Sequence, residues 1–348
     1  MSSTVVHNDS SAESAASEAV RTEFFALVSG CGVFDLSERV KLSVTGGDRA
    51  RWLNGMVTNN IRDLAKDHGV YAFLLNPHGH ILGDLYAFNR GDSFLVDTDQ
   101  SQIEKLAATF QRYIIMDDVE VANLGEGLAS IGIAGPKTPS LLSAAGVELP
   151  QLEPLQTVDV TWQGQSLILV RTDNPGVESY EVWLSPTAAT ALSDALTEAG
   201  AQPVGKDAVN LLRIACGIPL YGTDIRERDL PQESEQHRAL HFSKGCYIGQ
   251  EIVERIRSRG NVHRKFTGFS VQGPLPEPGA KVQADGKDVG EITSVVLLPG
   301  IAADHPVALG YIRRELAAAG REVQAGTSRL VVAALPFKDY LNVQTSKD

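Results

Sequence analysis

The sequence is poor in cysteine, and its few cysteines lie far apart. Cys31, Cys216 and Cys246 are the three thiols among 348 residues. An odd and scattered set gives no disulfide framework, and no C-x-x-C pair offers a zinc or cluster site. Such cysteine usage is typical of proteins that work in a reducing compartment. We therefore expect a cytoplasmic protein with free thiols.

The chain also lacks a long apolar run. No stretch approaches the roughly 18 consecutive apolar residues of a membrane span. The first twenty residues contain no basic segment followed by an apolar core, so they do not resemble a secretory signal. We therefore expect no membrane partner.

Positive charge is in deficit, with 31 lysines and arginines against 43 acidic residues and a net charge of −12. The surface as a whole should not attract nucleic acid, and we expect no direct nucleic-acid partner. One local exception is the run formed by Arg255, Arg257, Arg259, Arg264 and Lys265. A solvated face is its default interpretation, and a site for a polyanionic partner is the alternative.

The residues that are present predict a folded body and a smaller domain. Hydrophobic residues make up 43% of the chain, which is ordinary for a globular protein. Residues 1–18 are rich in Ser, Ala and Glu and predict a disordered tail. Residues 19–260 mix helical and strand patterns without regular βαβ spacing, which predicts an α+β region. Residues 261–348 carry short strands broken by Gly and Pro, which predict a small antiparallel β-barrel beginning near Asn261.

Within the α+β region, hydrophobic periodicity predicts an antiparallel meander and several helices. The meander covers 71–75, 81–88 and 93–96, and further strands are predicted at 40–44, 129–134, 167–171 and 180–184. The predicted helices are 19–27, 101–110, 136–145, 186–199, 206–216 and 248–257.

The segment 244–251, with the sequence KGCYIGQE, concentrates reactive side chains in eight positions. The Lys244 ammonium lies two residues from Cys246, and a nearby cation favours the nucleophilic thiolate. Cys246 also precedes the predicted helix 248–257, whose dipole acts in the same direction. The alternative is a buried cysteine that serves as a small hydrophobic residue.

Three charged residues upstream are candidates for ligand contacts. Asp84 stands between apolar residues of a predicted strand, and it either faces solvent or exchanges a proton with a nitrogen of a ligand. Glu181 shares a strand face with Trp183, and it either points outward or accepts paired N–H groups of a flat heterocycle. Arg213 lies in an apolar stretch and needs a carboxylate partner, in the protein or in a ligand. His78 and His80 lack a third ligand, so we expect no metal site.

The motifs resemble the YgfZ family of folate-binding proteins, which are related to the T-protein of the glycine cleavage system. Residues 244–251 match the family pattern K-G-C-Y-x-G-Q-E in full. Supporting resemblances lie in 44–60, in the strand–turn–strand of 74–85, in the L-R…L-Y-G-x-D segment of 212–224 and in the V-G-x-I-T-S strand of 289–294.

The resemblance implies a ring-like folate-binding body with a central hole, capped by the β-barrel. It implies that tetrahydrofolate, or a one-carbon derivative, binds near Asp84, Glu181 and Arg213, with Tyr247 and Gln250 as further contacts. It also implies an accessory role in the assembly or repair of iron–sulfur clusters, and so in iron–sulfur enzymes such as those that modify tRNA. Cys246, Lys244 and Asp84 would be the reactive residues, and iron–sulfur client or assembly proteins the partners.

Three departures separate the sequence from the T-protein pattern. A single Asp84 follows Gly83 where T-proteins usually carry an Asp-Asp pair, and Asn60 stands where an Asp is frequent. The T-protein pattern Gly-x-x-Gly-x-Glu is only partly present around Glu181. These departures bear on aminomethyl transfer more than on folate binding. The sequence therefore predicts a folate-binding accessory protein first. A folate-dependent one-carbon transferase that uses Asp84, and a module with a purely structural motif, are the alternatives.

Overall fold

The computed structural model describes residues 10–260 and 262–341, which form two antiparallel-rich sheets with their helices and a separate barrel. The helices are α1 (Ser10–Ser29), α2 (Arg49–Met56), α3 (Gln100–Arg112), α4 (Thr138–Ala144), α5 (Pro186–Glu198), α6 (Lys206–Ala215), α7 (Gln250–Arg259) and α8 (Lys338–Leu341). The strands of the body are β1 (Gly32–Asp35), β2 (Arg39–Thr45), β3 (Gly69–Leu75), β4 (Ile81–Asn89), β5 (Phe94–Asp99), β6 (Glu120–Asn123), β7 (Ala129–Ala134), β8 (Thr157–Trp162), β9 (Gln165–Arg171), β10 (Ser179–Leu184) and β11 (Gln202–Pro203). The strands of the barrel are β12 (Arg264–Gln272), β13 (Lys281–Ala284), β14 (Lys287–Leu298), β15 (His305–Arg313), β16 (Glu322–Ala325) and β17 (Ser328–Ala333).

The first sheet has the order β3-β4-β5-β2-β6 and is antiparallel throughout. Alternate residues of β4, such as Leu85 and Ala87, pack in one core with α2 and α3. The intervening residues Asp84, Tyr86 and Phe88 therefore point to the opposite face, because successive side chains of a strand alternate.

The second sheet has the order β11-β1-β7-β10-β9-β8, and its core packs against α4 and α5. Only the short β1–β11 pair is parallel among its pairings. Phe88 and Leu95 of the first sheet meet Val170 and Trp183 of the second in a small apolar cluster. This contact brings the polar faces of the two sheets toward a shared space.

The barrel is closed in the order β12-β15-β14-β13-β16-β17, so its strands leave no unpaired edge. The α+β class and the antiparallel C-terminal barrel are both as the sequence predicts. The barrel begins at Arg264, shortly after the predicted boundary near Asn261, which lies outside the described residues.

The predicted meander is confirmed as β3, β4 and β5. Four body strands were not predicted: β1, β6, β8 and β11. β1, β6 and β11 have at most four residues, which is too short for a periodic pattern. Of the predicted tail 1–18, residues 1–9 lie outside the described residues, and α1 begins at Ser10, ahead of the predicted start at residue 19.

Two fully buried carboxylates join the barrel to the body. Asp224 pairs with Arg213 of α6 at 2.7 Å and accepts hydrogen bonds from the hydroxyls of Thr293 and Ser294 on β14. Asp229 pairs at 2.6 Å with Arg264, the first residue of β12. Because each carboxylate has a cation and further donors, its loss of hydration is compensated.

We predict that Asp224→Ala lowers the free energy of unfolding by about 3–5 kcal/mol, because Arg213 and two barrel hydroxyls lose a buried partner. Urea unfolding followed by circular dichroism measures this loss. Glu322→Ala is the matched control, since Glu322 pairs with Arg329 on the exposed barrel surface. The control should change stability by less than about 0.5 kcal/mol. Equal effects of the two substitutions would contradict this role of Asp224.

Candidate functional site

A cavity of about 290 Å³ lies between the two sheets and is closed by α6 and the loop that follows it. Aromatic rings form much of its wall, contributed by Phe34, Tyr71, Tyr86, Phe88 and Tyr221. Asp84, Glu181 and Arg213, which the sequence places far apart, all line this cavity. A flat heterocycle fits such a combination of ring faces and a few polar groups.

The Asp84 carboxylate is held by two neutral donors. The Tyr71 hydroxyl donates to Oδ2 at 2.7 Å, and Nε2 of Gln102 donates to Oδ1 at 2.7 Å. The Gln102 side-chain oxygen also accepts the backbone N–H of Asp84, which fixes the strand against α3. Asp84 is therefore oriented on both oxygens, and each oxygen keeps a lone pair that a ligand can use.

Glu181 faces the cavity from β10. Its Oε2 accepts the indole N–H of Trp183 at 3.0 Å, which holds the carboxylate across the strand face. Burial, reinforced by the nearby charge of Asp97, raises the pKa of Glu181 above its ordinary value. The carboxylate lacks a cation within ion-pair distance among the described residues, so it retains acceptor capacity for N–H groups of a ligand.

A buried ionic cluster next to Glu181 was not predicted from the sequence. Arg39 and Lys41 of β2 both pair with Asp97 of β5, Lys41 at 3.0 Å. Burial acts to raise the pKa of Asp97, but the two cations outweigh it and hold that pKa below its ordinary value. The signal was available, because two cations alternate with apolar residues along β2.

The cavity carboxylates divide into two groups. Asp97 and Asp173 are bound to the cations Arg39 and Arg238, and Asp99 caps α3. Asp84 and Glu181 accept hydrogen bonds from neutral donors among the described residues. These two carboxylates are therefore the acceptors that remain for a ligand.

Arg213 has its carboxylate partner within the protein. Nη1 binds Asp224 at 2.7 Å and the carbonyl of Ile218 at 2.8 Å, while Nε binds Asn210. Nη2 lies 3.4 Å from the Ser294 hydroxyl. Arg213 therefore lines the cavity while its donors connect α6 to the barrel.

Lys244 anchors the segment that carries Cys246. Its Nζ donates to the carbonyls of Asn54, Val57 and Asn59, each at 2.6 Å. An ammonium has three N–H donors, so none remains for a direct hydrogen bond to Cys246. Burial lowers the pKa of Lys244 to about 7, whereas the carbonyls at the end of α2 favour its charged form. Electrostatic support of a thiolate by Lys244 stays a prediction.

Cys246, Tyr247 and Gln250 are not among the residues that line the cavity. Cys246 is exposed at the surface. Tyr247 is buried with Tyr71, Phe73 and Ile81 in an apolar cluster against β3 and β4, and Gln250 begins α7 and accepts the backbone N–H of Tyr247 at 3.3 Å. The structure therefore separates the thiol from Asp84 and Glu181, and the folate contacts assigned to Tyr247 and Gln250 stay predictions.

Acidic neighbours neutralise much of the basic run. Arg257 pairs with Glu254, Arg264 with Asp229 and Glu233, and Lys265 with Glu235. This pairing fits a solvated face better than a site for polyanions.

The described part of the chain offers neither a metal-binding cluster nor a membrane-spanning helix. Among residues 10–260 and 262–341, no three side chains of His, Cys, Asp or Glu are grouped as metal ligands. Within the same residues, no helix has the length and apolar character needed to cross a membrane.

Comparison with known proteins identifies the class to which the fold and cavity belong. Residues 4–244 match the GCVT N-terminal domain, and residues 264–339 match the glycine cleavage T-protein C-terminal barrel domain. In a crystal structure, the glycine cleavage system aminomethyltransferase T from Bartonella henselae has the same fold. It superposes with a TM-score of 0.83 at 23% identity, covering 91% of this chain and 89% of that chain.

Curated relatives are similar over nearly their full length. An aminomethyltransferase of Rubrobacter xylanophilus is 31% identical over 300 residues, which cover 85% of this chain and 80% of the relative. An aminomethyltransferase of Halothermothrix orenii is 30% identical over 308 residues, with 86% and 85% covered. The chain belongs to the glycine cleavage T-protein family.

We predict that one thiol reacts rapidly in the native protein and that it is Cys246. Cys31 and Cys216 are buried, and burial raises the pKa of Cys216 to about 12, so neither should react before unfolding. Titration with a chromogenic disulfide reagent, with and without denaturant, counts the thiols in each phase. Cys246→Ser should abolish the rapid phase; a rapid phase that persists in this variant would contradict the prediction.

Proposed function

We propose that the cavity binds tetrahydrofolate or a one-carbon derivative, and that the protein is a folate-dependent one-carbon transferase related to the aminomethyltransferases. The observation that carries the proposal is the pair Asp84 and Glu181, two carboxylates with free acceptor capacity in one aromatic-walled cavity. The names of the relatives support the same activity.

Glu181 is the residue proposed to hold the heterocycle. A pterin presents two neighbouring N–H groups on one edge, and a carboxylate accepts two such donors side by side. The indole of Trp183 fixes one carboxylate oxygen, so the acceptor geometry is set before a ligand arrives. Aromatic rings of the cavity wall supply the flat apolar surfaces that a fused ring needs.

Asp84 is the residue proposed to act on the nitrogen that receives the one-carbon unit. Tetrahydrofolate supplies nucleophilic nitrogens for this chemistry. Asp84 accepts a hydrogen bond from such an N–H and takes its proton as the new C–N bond forms. Tyr71 and Gln102 keep the carboxylate in place during this transfer. With an aminomethylated thiol carrier, the products are methylenetetrahydrofolate, ammonia and the free thiol.

We predict that substitution of Glu181 mainly weakens folate binding, whereas substitution of Asp84 mainly slows transfer of the one-carbon unit. Glu181→Gln should weaken tetrahydrofolate binding by about tenfold or more, because it replaces a charged acceptor by a neutral amide. Asp84→Asn should retain most of the affinity and lose about a hundredfold in transfer rate, because the amide accepts no proton. Calorimetry gives the affinities, and the release of ammonia and thiol gives the rate.

The exposed Glu198→Gln on α5 is the matched control for both assays, and it should behave as wild type. Saturating tetrahydrofolate should raise the melting temperature of wild type, because a ligand that binds the folded state stabilises it. A wild-type protein that shows neither binding nor a thermal shift would overturn the folate proposal. Binding without transfer would remove the transferase and leave the folate site.

A second candidate is the accessory function in iron–sulfur cluster assembly or repair that is associated with the YgfZ branch. The observation in its favour is the exposure of Cys246, which lies in a segment matching K-G-C-Y-x-G-Q-E while Cys31 and Cys216 are buried. Lys244 ties this segment to the body at three carbonyls, so the thiol is presented from a fixed loop. Cys246 would then react with a client or assembly protein at the surface.

We predict for this candidate that Cys246→Ser fails to restore iron–sulfur enzyme activity in cells lacking the chromosomal copy. The purified variant should still bind tetrahydrofolate with wild-type affinity, because Cys246 lies away from the cavity. Full restoration by Cys246→Ser would exclude a chemical role of the thiol in the cell.

A further inference from the structure

Arg39 lines the same cavity as Glu181 and Asp84, and its guanidinium lies 5.8 Å from the centre of the Tyr86 ring. Burial alone would lower the pKa of Arg39, but Asp97 and Glu181 outweigh it and raise that pKa above its ordinary value. Asp84 contributes in the same direction. One guanidinium is therefore within electrostatic reach of both Glu181 and Asp84, and it lines the same cavity.

Asp97 fixes the guanidinium of Arg39 and leaves one of its nitrogens available. Nε and Nη2 both donate to Oδ2 of Asp97, Nε at 3.1 Å. Nη1 lacks a hydrogen-bond partner among the residues that the structure describes, and the side chain is 23% exposed. Arg39 therefore presents a charged donor whose direction is set by a buried ion pair.

The other cavity arginines have different surroundings. Arg213 directs its donors to Asp224, Asn210 and the carbonyl of Ile218. Arg238 pairs with Asp173 and stacks 4.5 Å from the centre of the Tyr71 ring. Lys41 and Arg39 both act to lower the pKa of Glu181 against the effect of burial. Lys41 is buried on Asp97 and Ser130 and does not line the cavity, so Arg39 is the one of these two cations that a ligand in the cavity can reach.

One edge of a 2-amino-4-oxo-pteridine requires an acceptor, a donor and an acceptor, and Glu181, Arg39 and Asp84 supply these groups to one cavity. Along that edge, two N–H donors are followed by the 4-oxo oxygen and then by the ring nitrogen that can carry a one-carbon unit. Glu181 complements the N–H donors and Asp84 the ring nitrogen. We propose that Arg39 is a specificity-determining residue that donates to the 4-oxo oxygen and so selects 4-oxo over 4-amino pteridines.

This inference rests on the proposed folate site, and a ratio of affinities tests it. The two probes are tetrahydrofolate and 4-amino-4-deoxytetrahydrofolate, in which an amino group replaces the 4-oxo oxygen. Wild type should prefer tetrahydrofolate by about tenfold or more, because the amino group turns a donor toward Arg39 and the ring nitrogen beside it loses the hydrogen that Glu181 accepts. In Arg39→Met this preference should fall by about tenfold. Calorimetry under anaerobic conditions gives both dissociation constants.

The ratio distinguishes selection from a structural role. Loss of the Arg39–Asp97 pair could weaken both ligands, but it would then leave their ratio unchanged. Arg62→Met is the matched control, because Arg62 is 65% exposed and pairs with the neighbouring Asp63; its ratio should equal that of wild type. If Arg39→Met does not fold, the same ratio of dissociation constants is measured for Arg39→Gln, which keeps a neutral donor.

Two results would overturn the inference for different reasons. An unchanged ratio in a folded Arg39 variant, with wild type preferring tetrahydrofolate, would remove Arg39 as the selecting residue and leave the folate site intact. A wild-type protein that binds neither probe would overturn the proposed function itself, and the inference with it.

Discussion

The structure depends on the compensation of charges that are taken out of water. Asp224 and Asp229 are fully buried where the barrel meets the body. A carboxylate in such a place is stable only with a cation and hydrogen-bond donors around it. Arg213, Arg264 and two barrel hydroxyls meet that requirement from separate parts of the chain. The position of the barrel follows from these pairs as well as from apolar packing, and α6 is thereby held at the cavity wall.

The same requirement explains which cavity groups are free to bind. Asp97 pairs with both Arg39 and Lys41, and Asp173 pairs with Arg238, so these carboxylates are engaged within the wall. Asp84 and Glu181 are instead held by a phenol, an amide and an indole, which orient them without neutralising them. Neutral donors orient a carboxylate but leave most of its negative charge uncompensated, whereas a paired cation compensates that charge. The cavity is thus prepared for a ligand with N–H groups.

The parts that could be predicted from the sequence are those determined by local pattern. Alternation along β4 placed Asp84 opposite the apolar core, and the apolar surroundings of Arg213 required a carboxylate. The partners could not be predicted, because Gln102, Asp97 and Asp224 approach only after folding. The Lys244–Cys246 spacing suggested a pair, yet the ammonium turns to three carbonyls of a distant segment. The spacing of residues in the sequence predicts which face of a strand they share. Their hydrogen-bond partners depend on which acceptors and donors the folded chain brings near them.

The cavity and the exposed thiol are separate in space but share one support. The amide of Asn59 donates to the carbonyls of Tyr71 and Arg238, both of whose side chains line the cavity. The carbonyl of Asn59 accepts from Lys244, two residues before Cys246. Thr58 adds a bond to the carbonyl of Ala239 at 2.6 Å. Asn59 and its neighbours therefore tie the cavity wall and the Cys246 segment to the same backbone. Tyr71 in turn donates to Asp84, so the segment 58–59 supports one cavity carboxylate and the Cys246 segment through separate hydrogen bonds.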